Sequence, residues 1–145
     1  MKSEWIIAKP EDFIELAEEL LAAHTEDDPL ILCLEGDLGA GKTTFVQTLG
    51  KVLGVAEHIT SPTFGIMKRY DLTNQKHFEQ LIHIDAYRIE DITETGPLRL
   101  EALCIQPRTI ICIEWPERIT GILPAKKKSL KITINQTDSR TVVVE

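Results

Sequence analysis

The sequence predicts an α/β domain of three layers: a mixed sheet with a parallel core and an antiparallel hairpin annex, covered by helices. Three observations lead there. Residues 30–34 and 110–113 are continuously apolar, as central strands buried on both faces are. Strand-like runs alternate with stretches whose apolar residues recur at helical spacing. A glycine-rich stretch, residues 36–43, joins the first apolar run to such a helix. With 145 residues, 43% of them hydrophobic and 27% charged, the chain has the size and composition of one folded domain, so residues 1–145 are read as a single unit with one site.

Residues 3–8 read as a short strand. Pro10 at a first helical position, followed by acidic Glu11 and Asp12, then announces a helix. Phe13, Leu16, Ala17, Leu20 and Leu21 fall on one apolar face, which is expected to pack on the sheet. Asp27, Asp28 and Pro29 break the pattern ahead of the strand at 30–34. From Lys42, after the glycines, Phe45, Leu49, Val52 and Leu53 return to helical spacing, with Gly54 placed as the stop. Pro62 pushes Ser61 out of the helical region. Phe64, Ile66 and Tyr70 then mark an extended segment that turns around Asn74 and returns over residues 78–84 as a long hairpin. Residues 88–108 are the least regular, with Gly96 and Pro97 interrupting one or two short helices. Residues 109–113 form the second buried strand, ending at Glu114, and residues 130–135 and 141–144 pair across Thr137, Asp138 and Ser139.

Composition narrows the function classes. No run approaches the ~18 apolar residues of a membrane span and the first eight residues lack the marks of a signal peptide, which predicts a cytoplasmic protein with no membrane partner. A formal net charge of −7 argues against holding nucleic acid by a phosphate-neutralising surface, so any RNA connection is expected through a partner. Lys126, Lys127 and Lys128, the only dense basic run, read as a solvated loop between elements. Cys33, Cys104 and Cys112 are odd in number without a C-x-x-C pair, and Cys33 and Cys112 lie inside apolar runs, where buried structural thiols are expected. His24, His58, His77 and His83 show no zinc-ligand spacing.

Gly36, Asp37, Leu38, Gly39, Ala40, Gly41, Lys42 and Thr43 match G-x-x-x-x-G-K-[ST] completely, and the strand before and helix after them supply the context this motif needs. The fold class therefore narrows to a P-loop NTPase-like sheet. Glycines let successive N–H groups point at phosphate oxygens, and the helix N-terminus adds its positive dipole end. Gly39, Ala40, Gly41, Lys42, Thr43 and Thr44 are the candidate nucleotide ligands. Lys42 would bring a full charge to the β- and γ-phosphates, and the Thr43 hydroxyl would coordinate Mg²⁺. Hydrolysis also needs an acid to hold the metal shell or orient water. Asp85 and Glu114 each stand where a buried strand emerges, the binding edge of open α/β sheets, and either could instead cap a neighbouring turn. Thr63 is a further hydroxyl for the metal or γ-phosphate, or a plain turn residue, and Trp115 packs either near the nucleotide or in the core.

Taken in order, GDLGAGKTTF at 36–45, SPTF at 61–64, HIDAYR at 83–88 and IEWPE at 113–117 resemble the bacterial TsaE (YjeE) family over about residues 10–124. The resemblance implies an ATPase, with ATP and Mg²⁺ as cofactors, that assists synthesis of N6-threonylcarbamoyladenosine next to the anticodon of tRNA. It also implies docking on TsaD and TsaB, the proteins that catalyse the transfer, so that tRNA is met only indirectly through the complex. Carried over, it makes Lys42 the phosphate ligand, Thr43 and Glu114 the Mg²⁺ shell and Asp85 an essential acid near the metal, with Lys42, Asp85 and Glu114 as the catalytic set. Thr63 falls in a segment resembling a switch loop, and residues 92–104 match only loosely.

Two other functions use a P-loop. A small-molecule kinase needs arginines closing over the transferred phosphate, and Arg69, Arg88, Arg99, Arg108, Arg118 and Arg140 are dispersed. A non-hydrolysing sensor would use ATP only to stabilise docking, with Glu114 structural. A GTPase is unsupported, because neither an Asn-Lys-x-Asp base reader nor an Asp-x-x-Gly switch occurs.

Overall fold

The computed structural model describes residues 2–62, 66–73, 77–91, 93, 96 and 99–145. Thr63, Phe64, Asn74 and Pro97, to which the sequence assigns a metal-side hydroxyl, an extended segment, a hairpin turn and a helix break, lie outside these residues.

Strand β1 (Glu4–Ile7) buries Trp5 and Ile7 and turns Glu4 and Ile6 outward, the period of two expected of a strand. Pro10 opens a 3-10 turn (Pro10–Asp12), and helix α1 (Phe13–Ala23) begins only after it. The delay has a local cause: the Asp12 carboxylate turns back to accept from the N–H groups of Ala8 (2.9 Å) and Lys9 (3.2 Å). Phe13, Leu16, Ala17 and Leu20 are buried and Leu21 partly so, as the spacing predicts. Strand β2 (Leu30–Glu35) is buried except at its last residue. Helix α2 (Lys42–Val52) rises from the glycine loop and stops at Gly54, whose φ of 84° lets its N–H reach the Lys51 carbonyl at 3.1 Å. Strands β3 (Met67–Asp71) and β4 (Gln80–Asp85) form the expected hairpin. After the short helix α3 (Leu100–Leu103) come β5 (Thr109–Glu114), β6 (Lys128–Ile134) and β7 (Arg140–Val144).

All seven strands join one sheet in the order β1-β7-β6-β2-β5-β4-β3. The inner four, β6, β2, β5 and β4, are parallel; β7 beside β6 and β3 at the far edge run antiparallel to them, and β1, antiparallel to β7, again points with the core. This is the predicted α/β class, a mixed sheet with a parallel core, except that the antiparallel annex occupies both edges.

Leu30, Leu32 and Leu34 of β2 point into one core with the apolar faces of α1 and α2, where Phe13 and Phe45 meet edge to face at 5.6 Å. Ile31 and Cys33 point into the other, with Ile82, Ile84, Ile111 and Ile113. Burial on both sides is why the run carries no polar alternation. The second outer layer is the thinner one. Among the described residues it consists of α3 and 3-10 turns at Pro116–Arg118 and Thr120–Ile122, with Leu100, Leu103 and Ile119 as its buried anchors. Lys126 is exposed beyond these turns and pairs with Glu26 (2.6 Å) and Asp28 (2.5 Å). That contact holds the Asp28 carboxyl below the usual carboxylate range. Among the described residues no helix is long and apolar enough to cross a membrane.

Candidate functional site

The parallel register decides where the acids fall. Asp85 is the last residue of β4 and Glu114 the last of β5, and the two are direct partners in the ladder. Strand β2 pairs with β5 on its other side and releases the chain into the glycine loop at that same edge. Three consecutive strand ends thus converge at the carboxyl edge of the parallel core, the binding edge of such sheets.

Two glycines of the loop are required by geometry. A Cβ on Gly36 would lie 2.7 Å from the Ile132 carbonyl oxygen of β6, and its φ of 157° already departs from ordinary extended backbone. Gly41, at φ 113°, is the N-cap of α2 and makes no side-chain cap bond. The first bond into the helix is donated by Phe45 N–H to the Gly41 carbonyl at 2.9 Å. The N–H groups of Lys42, Thr43 and Thr44 belong to the first turn and have no intrahelical acceptor. An uncapped helix start behind a glycine cradle presents donors suited to phosphate oxygens.

A cleft of about 280 Å³ runs along this loop, lined by residues 38–44 with Ser61, Asp85, Tyr87, Glu114 and Trp115. Every predicted ligand, Gly39, Ala40, Gly41, Lys42, Thr43 and Thr44, is therefore brought together with both predicted acids. Thr43 Oγ1 donates to the Glu114 carboxylate, 3.0 Å from Oε1 and 2.9 Å from Oε2. Hydroxyl and carboxylate oxygens are the hard donors Mg²⁺ prefers, and this small set fits an ion whose remaining ligands are phosphate oxygens and water. Lys42 Nζ donates to the Gly36 carbonyl and, at 3.3 Å, to that of Asp37. It lies 3.9 Å from the Trp115 ring centroid. Burial pulls the pKa of Lys42 down, while Glu114, Glu117, Asp85 and Asp37 push it back up. Asp85 Oδ2 accepts from Ser61 Oγ at 2.7 Å, and Oδ1 accepts from Tyr87 N–H at 3.0 Å, so this acid both faces the cleft and closes its own turn. Trp115 has φ 59° and ψ 52°, a left-handed backbone that L-residues seldom adopt, and this bend follows directly on Glu114.

On the other side of the same loop lies a second cleft of about 230 Å³. It is lined by Ile7, Lys9, Pro10 and Phe13 from the start of the chain and by Asp138 and Arg140 from its end. Both clefts share Gly39, Ala40, Gly41 and Thr44 as a common rim.

Residues 7–142 match the family model described as "Threonylcarbamoyl adenosine biosynthesis protein TsaE". The chain belongs to the TsaE family. The tRNA threonylcarbamoyladenosine biosynthesis protein TsaE of Bacillus subtilis is 33% identical over 138 residues, covering 95% of this chain and 82% of that protein. TsaE of Aquifex aeolicus is 38% identical over 117 residues, 79% of this chain and 77% of the relative. The crystal structure of Bacillus subtilis YdiB superposes with a TM-score of 0.72 at 31% identity, over 97% of this chain and 82% of that one. The TsaE match takes in the glycine loop, both acids and Trp115, and extends through Arg140.

Two residues at this edge have no role that sequence spacing assigns. His83 is fully buried, and its Nε2 lies 2.6 Å from Glu114 Oε2. In the sequence it opens the HIDAYR stretch, two residues before Asp85 and so on the same face of β4. Arg140 donates from Nε to the Ala40 carbonyl at 3.2 Å and from Nη2 to the Gly39 carbonyl at 3.1 Å, and nothing in its neighbours in sequence hints at this.

Proposed function

We propose that the chain works as a single nucleotide-binding domain, a Mg²⁺-dependent ATPase of the cytoplasm that supports threonylcarbamoyladenosine modification of tRNA. In this reading it docks on TsaD and TsaB and meets tRNA only through that complex. One observation carries the enzymatic part: the Thr43 hydroxyl and the Glu114 carboxylate are within hydrogen-bond reach at the mouth of an uncapped helix start. Family membership supports the pathway.

Loop N–H groups and Lys42 would bind the phosphates, and Thr43 with Glu114 would hold the metal. Bound Mg²⁺ would supply neutralisation of charge on the β- and γ-phosphate oxygens. Glu114 would also orient the attacking water, with Asp85, fixed by Ser61 and Tyr87, as the second acid of the cleft. Trp115 shields Lys42 from solvent, which strengthens its charge on a phosphate. The shared rim suits a ligand with its phosphates in the acidic cleft and its base against Ile7, Pro10 and Phe13 in the other. Among the described residues no arginine lines the acidic cleft, which gives phosphoryl transfer to a second substrate no support.

Hydrolysis of ATP and GTP, each with Mg²⁺, by the chain alone and with TsaD and TsaB added tests the reading. ATP turnover that rises with the partners is expected. In Glu114→Ala turnover should fall by roughly 100-fold or more while ATP binding persists, because the lost contacts act in the transition state. ATP binding with no turnover in any mixture would leave the docking sensor as the better account.

A further inference from the structure

His83 is an expensive residue where it stands. Its ring is fully buried in the sheet, and an imidazole taken from water into such a place is costly unless both nitrogens find partners. Only one does. Nε2 meets Glu114 Oε2 at 2.6 Å, while Nδ1 is buried without a hydrogen-bond partner among the described residues. An apolar side chain of similar volume would serve packing better, so whatever retains the histidine acts through Glu114. With Nδ1 lacking an acceptor, the tautomer that leaves no buried N–H unpaired carries its proton on Nε2 and donates it to Oε2.

The carboxylate is thereby divided. Oε2 accepts from His83 and lies 2.9 Å from the Thr43 hydroxyl, whereas Oε1, among the described residues, has only the Thr43 contact at 3.0 Å. We propose that His83 is a positioning residue for Glu114: by holding Oε2 it fixes the carboxylate plane and keeps Oε1 as the oxygen that serves the metal and water. The proposal rests on the reading of Glu114 as a metal-side acid. A carboxylate held only by a threonine hydroxyl can rotate about its last torsion, and Lys42, whose charge acts on Glu114, offers it a competing partner. A second contact from β4, the strand that also delivers Asp85, removes that freedom and ties the two acids to one rigid edge.

The test uses the full chain with His83→Leu, His83→Gln and Glu114→Ala. It follows nucleotide affinity in EDTA, the Mn²⁺ midpoint in the presence of ATP by electron paramagnetic resonance, and kcat with KM. For His83→Leu the expected results are ATP affinity in EDTA within about twofold of native, a Mn²⁺ midpoint raised roughly 10–100-fold, and a fall in kcat with little change in KM. His83→Gln, whose amide can donate to Oε2, should recover most of both losses. A native Mn²⁺ midpoint in His83→Leu overturns the proposal, as does an equal loss in the Leu and Gln variants. If His83→Leu does not fold, His83→Asn replaces it: the shorter amide falls short of Oε2, and a native midpoint there is equally fatal. Should Glu114→Ala itself leave the Mn²⁺ midpoint unchanged, the metal-side reading of Glu114 fails. Should Glu114→Ala raise it while His83→Leu does not, only the role of His83 fails.

Discussion

Glu114 is 4% exposed, a position that an unpaired charge could not hold. Thr43 and His83 supply the hydrogen bonds, and Lys42 supplies the opposite charge nearby. At the buried thiols burial outweighs any nearby positive charge. Burial pushes the Cys33 thiol from 9.0 to about 11, and Cys104 and Cys112 are pushed up as well. Above pH 9 the unfolded chain ionises Cys33 while the folded chain does not, so its contribution to stability is intact below pH 9 and is lost as pH rises to about 11. Lys42, pulled down by burial, works against this trend, so the comparison belongs between variants. Urea unfolding of native and Cys33→Ala between pH 8 and pH 11 should show a shallower decline with pH in the variant. A native slope in the variant would show that folding does not raise the Cys33 thiol.

At the scale of elements, the last strand holds the glycine loop. Arg140 of β7 reaches back about a hundred residues in sequence to two loop carbonyls, and its Nη1 also bonds the Asp138 carbonyl at 2.6 Å, which stiffens the guanidinium. Fixing the Gly39 and Ala40 carbonyls also fixes the planes of the peptides that carry the Ala40 and Gly41 N–H groups. Bonds from a charged donor contribute about 1.5–3 kcal/mol each, less here because Arg140 is partly exposed, so Arg140→Ala should weaken ATP binding by roughly 3–10-fold. Inorganic tripolyphosphate should weaken by the same factor. A loss confined to ATP would instead set Arg140 against the base. Such contacts explain what the sequence left unread. Period and punctuation disclose β2, α2 and both hairpins, because these depend on neighbours in the chain. The bond from Arg140 to Gly39 and the one from His83 to Glu114 join residues distant in sequence and leave no spacing to find. Helix α3, only four residues long, is too short for a helical period to show.

For the whole molecule, topology does most of the assembly. A parallel core of four strands aligns its carboxyl ends, so the loop after β2 and the acids ending β4 and β5 meet without any loop having to reach far. That much was legible, since each residue could be assigned to a strand end from the apolar run before it. The division of labour around Glu114 was not. The central claim, that this edge is a phosphate site for a nucleotide, is tested most directly by isothermal titration of Mg²⁺·ATP into the native chain and Lys42→Ala. One site per chain is expected. The variant should bind roughly 10–100-fold more weakly, the loss of a charge-assisted contact of about 1.5–3 kcal/mol. Equal affinity in the two proteins would contradict the account.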